Sequence, residues 1–480
     1  MSNRSLTRQM FRRKPAAMLM AEADSGSGGL KRALGALDLT MLGIGAIVGA
    51  GIFVLTGVAA AKYAGPAVTL SFVVSGFACA MAALCYAEFA AMIPIAGSAY
   101  SYSYATMGEL VAWIIGWDLV LEYAVGAAAV AVGWSGYLQV ILRGFGIRLP
   151  DAIAHAHGAG AGGVIDLPAL LIVLLISAVL YVGISESARL NSIIVAIKLA
   201  AIALVIAVGV FYIRPANWSP FAPMGWSGVM KGAAVIFFAY IGFDAVSTAA
   251  EEVIDPKRDL PIGILASLFV CTALYILVAA VLTGMVPAHT IDLNAPLASA
   301  FVHRGLNAIS GIISLGAVAG LTSVLLVLLL GQSRVFFAVS RDGLLPAAFS
   351  RIHPRFRTPY IPTTLTGIAV GITAALLPIQ EIAELTNIGT LFAFVLVCLG
   401  LMILRWIAPD MRRPFRTPLV PVVPSLGVIF CLYLMLSLPV VTWIRFFVWM
   451  AIGFGIYFSY GRFHSRVAAA ANNASSAAAD

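Results

Sequence analysis

Long apolar runs, each closed by a cluster of turn residues or charges, leave this chain one class of fold. The 480 residues are 61% hydrophobic and only 10% charged, with a mean hydropathy of +1.00. Many of the runs exceed the roughly 20 apolar residues that a helix needs to cross a bilayer. No soluble domain covers that much apolar surface, so the chain reads as an all-α membrane protein. Turn and charge clusters divide it into twelve transmembrane helices near 38–62, 66–94, 105–142, 167–185, 190–213, 229–251, 261–285, 306–338, 360–379, 382–406, 420–438 and 441–461.

Charge orients these spans. Residues 1–36 read as a polar, basic N-terminal tail with no signal-peptide core, and 467–480 as a disordered Ala/Asn/Ser tail. Twelve spans put both tails on one side. Of the 29 Lys and Arg, the opposite side carries only Lys62, Arg143, Arg148, Arg214, Lys231, Arg304 and Arg445. Lys198 lies inside a span, and all the rest fall on the tail side. The positive-inside rule then places both termini in the cytoplasm of a plasma-membrane protein. The pI of about 9.3 is thus a topology signal, not a nucleic-acid-binding surface.

Two spans are interrupted. The first holds Gly43, Gly45, Gly49 and Gly51, each weakening a helix by about 1 kcal/mol against alanine. The sixth reads Phe237-Phe238-Ala239-Tyr240-Ile241-Gly242-Phe243-Asp244. Unpaired backbone is too costly to face lipid, so a broken span must border protein or a watery cavity. Matched breaks in two halves point to the solute site of a secondary transporter. They also suggest two five-helix repeats, 37–213 and 229–406, inserted in opposite senses, with 420–461 outside them. An unwound stretch at 47–51, including Ile47, Gly49, Ala50 and Gly51, would turn amides towards a carboxylate. Close packing of helices through small residues is the competing explanation. In the second break, the carbonyls of Phe238, Ala239 and Ile241 suit an ammonium group. Phe238 and Asp244 are the candidate gates, although capping a half-helix is an equally plain role for Asp244.

Few charges lie at membrane depth. Lys198 sits within residues 193–208, where an ionisable group is a functional candidate by default. Proton coupling is the functional reading, and snorkelling towards the interface is the other. Asp118 and Glu122 share a helix face at i, i+4 and either line the path or make structural hydrogen bonds. Glu88 reads as structural. The cysteines (Cys79, Cys85, Cys271, Cys398, Cys431) lie in apolar runs and read as small buried hydrophobes. No phosphate-binding loop, metal-ligand spacing or nucleophile triad occurs, so neither an enzyme nor a cofactor is expected.

The stretch 45–53 (GAIVGAGIF), residues 237–252 (FFAYIGFDAVSTAAEE), Asp255-Pro256-Lys257-Arg258, Gly108-Glu109-Leu110, Leu121-Glu122-Tyr123, Gly331-Gln332-Ser333-Arg334 and Arg341-Asp342-Gly343-Leu344-Leu345-Pro346 carry a resemblance. Together they resemble the amino acid–polyamine–organocation superfamily, in particular bacterial permeases of the cationic amino acid transporter branch. The resemblance covers about residues 30–460. It implies a LeuT-like 5+5 inverted repeat with helices 1 and 6 broken, and alternating access to L-amino acids. It also implies an α-carboxylate at 47–51, an α-amino group at 238–241, and Lys198 standing where sodium sits in sodium-coupled relatives. Two departures stand out. Many relatives carry Thr or Ser where this chain has Ala50, and the eukaryotic members are similar to fourteen-helix proteins.

The expected function is proton-coupled, sodium-independent uptake of amino acids across the lipid bilayer. An exchanger without net proton flow is the alternative, and a non-transporting sensor is the alternative from another class. Protein partners are not legible. For the side-chain pocket, Glu122 would suit a cationic substrate. Ile47, Ile241, Leu328 and Gly126 would suit a neutral one, and selectivity leans neutral or broad.

Overall fold

The computed structural model describes residues 10–14, 33–94, 98–159, 162–183 and 188–467. The C-terminal tail beyond Val467 and most of the 1–36 tail lie outside the described residues. Helices make up nearly everything described, and no β-strand occurs among the described residues.

The principal helices are α1 (Ala36–Ile47), α2 (Val68–Met92), α3 (Ser98–Thr106), α4 (Glu109–Gly144), α5 (Leu167–Val182), α6 (Ala188–Gly209) and α7 (Gly225–Ile236). They continue as α8 (Pro256–Met285), α9 (Asn307–Arg341), α10 (Tyr360–Leu376), α11 (Ile379–Ile407), α12 (Val422–Leu436) and α13 (Val440–Ile456). Among the described residues, eight helical stretches are long and apolar enough to cross a membrane, the longest being Gly51–Met92. Four apolar helices are shorter: α1, α5, α10 and α12. The interval 105–142 needs correction. Residues 105 and 106 end the separate helix α3, and α4 begins at Glu109 after Gly108, whose φ of +107° no helix accommodates.

Packing puts the interrupted segments at the centre. The most extensive helix pair is α4 against α9. Helix α8 lies across both α1 and α2, α6 packs on α9 and α1, and α11 packs on α4 and α12. α5 and α10 form a peripheral pair. One buried cluster ties α2 to the far end of α11. Glu88, fully buried, takes Arg405 Nε at 2.9 Å and Nη2 at 2.8 Å, the Thr417 amide at 2.7 Å, and Arg413 at 3.2 Å. Removing one partner of such a cluster costs about 3–5 kcal/mol, because a buried charge is left uncompensated. The structural reading of Glu88 matches this arrangement.

Candidate functional site

The first interruption is narrower than residues 47–51. Helix α1 runs through Ile47, and only Val48 and Gly49 are non-helical, Val48 having ψ 94°. The chain then resumes as a π-helical turn, Gly51–Leu55, steadied by Thr56 Oγ1 donating to the Gly51 carbonyl at 3.1 Å. The glycines explain the difference. A Cβ on Gly51 would stand 2.2 Å from Ala239 Cα, and one on Gly43 would stand 2.4 Å from Ser267 Oγ. Both are contact points with neighbouring segments, so small-residue packing accounts for two of the four glycines. Gly51 and Ala239 press on each other, which leaves only their backbone groups for any solute.

The second interruption is longer. Helix α7 tightens into a 3-10 turn, Phe237–Tyr240, and residues 241–244 form a turn before a short helix, Ala245–Thr248. Gly242 has φ +113°, and a Cβ there would stand 3.0 Å from the backbone of Ala46. The two broken segments therefore touch twice, at Gly51–Ala239 and at Ala46–Gly242. Aromatic rings wall the second one. Phe237 and Phe243 pack on Phe394 with centroids 5.6 and 5.1 Å away, and Tyr86 meets Phe243 edge-on at 5.5 Å.

Carbonyls freed by the breaks are claimed by side chains from other helices, as buried backbone requires. Lys198 Nζ, from α6, donates to the Gly45 carbonyl at 2.7 Å. Its side chain is fully buried and lies on Gly320 of α9, where a Cβ would come within 2.8 Å of Lys198 Cγ. The amine is thus held inside the helix bundle. Tyr275 of α8 lies 2.9 Å from the Ile47 carbonyl and 2.9 Å from the Ala239 carbonyl, so one hydroxyl bridges both interruptions. Asn387 of α11 donates from Nδ2 to the carbonyls of Ala234 and Val235, at 2.7 and 2.9 Å. Tyr275 and Asn387 were not singled out from the sequence. The available signal was a tyrosine inside the aliphatic run at 273–281 and an amide at mid-span.

The remaining candidates divide into two groups. Phe238, Ile241 and Leu328 are buried but keep small exposures of 6%, 8% and 8%, whereas Ile47 and Ala50 are sealed. A methyl built on Gly126 would lie 3.6 Å from Leu328 Cδ1 and 3.8 Å from Thr386 Cγ2, ordinary contact distances. A Cβ built on Gly49 would lie 3.4 Å from the Val324 methyls. This group is apolar. Glu122, one turn before Gly126 on α4, has Asp244 and Asp118 as its charged neighbours. Asp118 is fully buried, neither carboxyl oxygen has a hydrogen-bond partner among the described residues, and Gly389 of α11 makes room for it. A separate cavity of about 630 Å³, with Tyr63, Lys231, Val235 and Glu384 in its wall, opens between α7, α11 and the α12–α13 turn. Among the described residues no cluster of His, Cys, Asp or Glu is arranged to hold a metal.

Residues 34–457 match the amino acid permease family. The branched-chain amino acid permease BcaP of Bacillus subtilis is 52% identical over 461 residues, covering 95% of this chain and 99% of that protein. The methylthioribose transporter of the same organism is 50% identical over 456 residues, covering 95% and 98%. The vacuolar cationic amino acid transporter 4 of Arabidopsis thaliana is 38% identical over 407 residues, covering 84% and 68%. A family match across most of the chain, with apolar helices throughout, makes this a multi-pass membrane protein that transports amino acids and is not an enzyme. It belongs to the amino acid permease family of the amino acid–polyamine–organocation superfamily.

Proposed function

We propose that this permease is a secondary active importer of neutral L-amino acids with branched or otherwise apolar side chains, coupled to protons and independent of sodium. The observation that carries the reading is the pair of touching interruptions whose carbonyls are held by Lys198, Tyr275 and Asn387. The substrate's carboxylate meets the amides around Gly49, Ala50 and Gly51, and its ammonium meets carbonyls of the 238–241 turn. The side chain lies in the apolar space of Ile241, Leu328 and Gly126, with Phe238 above it. Glu122 sits with Asp118 and Asp244, and so serves helix packing or gating in preference to binding a cationic side chain. The 52% identity to a branched-chain permease supports the same choice.

Twelve spans, an inverted five-plus-five repeat and cytoplasmic termini in the plasma membrane complete the proposal. Support for the repeat comes from packing. Moving each of the first five spans to its counterpart in the second five turns α6-on-α9 into α11-on-α4, and α7-on-α2 into α1-on-α8, and all four contacts exist. Coupling follows from Lys198. Its charge-assisted bond to Gly45 fixes the end of α1 next to the break, and proton loss weakens that bond. Substrate and proton together favour closure only through tighter binding to the closed state.

Uptake into proteoliposomes under an imposed pH gradient, with and without sodium, tests the proposal. Leucine or valine accumulation that collapses in Lys198→Ala supports it. Accumulation in that variant with the pH dependence of the parent refutes the coupling. Counterflow without any net accumulation under the pH gradient would point to an exchanger. Methylthioribose is the second reading, favoured by the 50% identical transporter. It lacks both an α-carboxylate and an ammonium, so a thermal-shift screen including it alongside the twenty amino acids separates the two.

A further inference from the structure

The cavity of about 630 Å³ between α7, α11 and the α12–α13 turn takes no part in the binding mode proposed above. Its wall includes an acid without a cation. Glu384 of α11 is only 6% exposed, yet its oxygens accept from two neutral donors, Gln380 Nε2 at 3.0 Å and Thr442 Oγ1 at 3.3 Å. The same Gln380 amide donates to the Tyr63 hydroxyl, and Lys62 is engaged with Gln380 Oε1 at 2.6 Å. Among the described residues no Lys or Arg pairs with Glu384. A buried carboxylate is paired as a rule. It offers about four acceptor positions, so about two remain for a donor from the cavity.

A cation stands in the same wall, beyond ion-pair distance of the acid. Lys231 of α7 is exposed and forms no ion pair among the described residues. The cavity therefore carries a buried negative group and an exposed positive one. Its rim is apolar. Trp226 and Tyr433 are exposed, and so are Leu436 and Val440, by 73% and 74%. The turn at 437–439 joins two apolar helices, which sets this end of the cavity at the membrane surface. Trp and Tyr favour that same level.

We propose that this cavity binds the head group of a phospholipid bearing a primary ammonium, of the phosphatidylethanolamine type. The ammonium lies on Glu384, the phosphate towards Lys231, and the acyl chains along Leu436 and Val440. The inference needs only a membrane-embedded chain, and it stands whichever solute is carried and whichever way the helices face. A primary ammonium brings N–H donors to the acid, whereas the trimethylammonium of phosphatidylcholine has none and phosphatidylglycerol has no cation. A free zwitterion offers the same two charges but leaves the apolar rim uncovered. Val235, in the same wall, lends its carbonyl to Asn387. A bound lipid thus bears on the end of α7, where the second interruption begins.

The test uses the full chain, purified in detergent and freed of lipid, and reads the melting temperature with dioleoyl lipids added. Phosphatidylethanolamine at saturation should raise it by about 4 °C, and phosphatidylcholine and phosphatidylglycerol by much less. In Glu384→Gln the three lipids should become equal. Lys231→Glu, at an exposed position where substitution seldom harms folding, should remove most of the phosphatidylethanolamine shift, and it decides the matter if Glu384→Gln does not fold. Equal shifts from phosphatidylethanolamine and phosphatidylcholine in the parent overturn the site. So does Glu384→Gln with the parent's preference, or Lys231→Glu with the parent's shift. Glycerophosphoethanolamine, the head group without chains, should shift nothing. A shift as large as the lipid's would assign the site to a soluble ammonium compound and overturn the lipid. No transported solute enters these measurements, so failure of the transport proposal leaves them standing.

Discussion

The two interruptions solve one problem differently. The first spans two residues and restarts as a π-helical turn, and the Gly45 carbonyl in the turn before it is held by an ammonium group. The second spans a 3-10 turn and four further residues, and the carbonyls before it are held by a neutral amide. A lysine can lose its proton and an asparagine cannot. Under the coupling proposed above, the first segment is the one whose hold would vary with protonation, and the second the one whose hold is constant. An adjustable clamp facing a fixed one is a sensible division where a proton is to be coupled to a bound solute.

Replacing Lys198 by methionine should strike hardest. Loss of a charge-assisted bond is worth about 2 kcal/mol, roughly thirtyfold in gradient-driven leucine accumulation, while gradient-free counterflow is affected less. Proteoliposome assays at several external pH values would show it. Equal losses in both assays would erase the distinction between the clamps.

Next comes Asn387→Leu, which leaves the Ala234 and Val235 carbonyls without their donor. A cost of about 1.5 kcal/mol is expected, roughly tenfold in uptake and the same at every pH. A pH-dependent deficit would break the comparison. Tyr275→Phe removes a bond shared by both segments and should cost about 1 kcal/mol, roughly fivefold in uptake, with proton coupling preserved. Smallest is Gly126→Ala. The added methyl meets only ordinary contacts, so the melting temperature should hold within about 2 °C, while competition assays shift preference from leucine towards valine or alanine.

Much of this was legible beforehand. Both interruptions were marked by glycines and by a glycine-aspartate turn, and Lys198 and Glu88 stood out as charges in apolar surroundings. The width of the first break was not legible, because a glycine placed to admit Ser267 or Ala239 looks the same in sequence as one placed to unwind. Tyr275 and Asn387 are not legible for a related reason. Their partners lie 228 and 36 residues away for the tyrosine and 153 and 152 for the asparagine, and periodicity carries no information at that range. Glu122 shares a helix face with Asp118 in the sequence itself, and only coordinates could add Asp244 to the pair.

The Tyr275 hydroxyl lies 2.9 Å from one acceptor on each broken segment, yet it carries a single hydrogen. A turn about its C–O bond is enough to hand that hydrogen from one strand of backbone to the other, with no heavy atom displaced. At any instant one of the two oxygens goes unserved by this phenol. On the binding mode proposed above, a guest bearing N–H groups serves the oxygen that the phenol leaves.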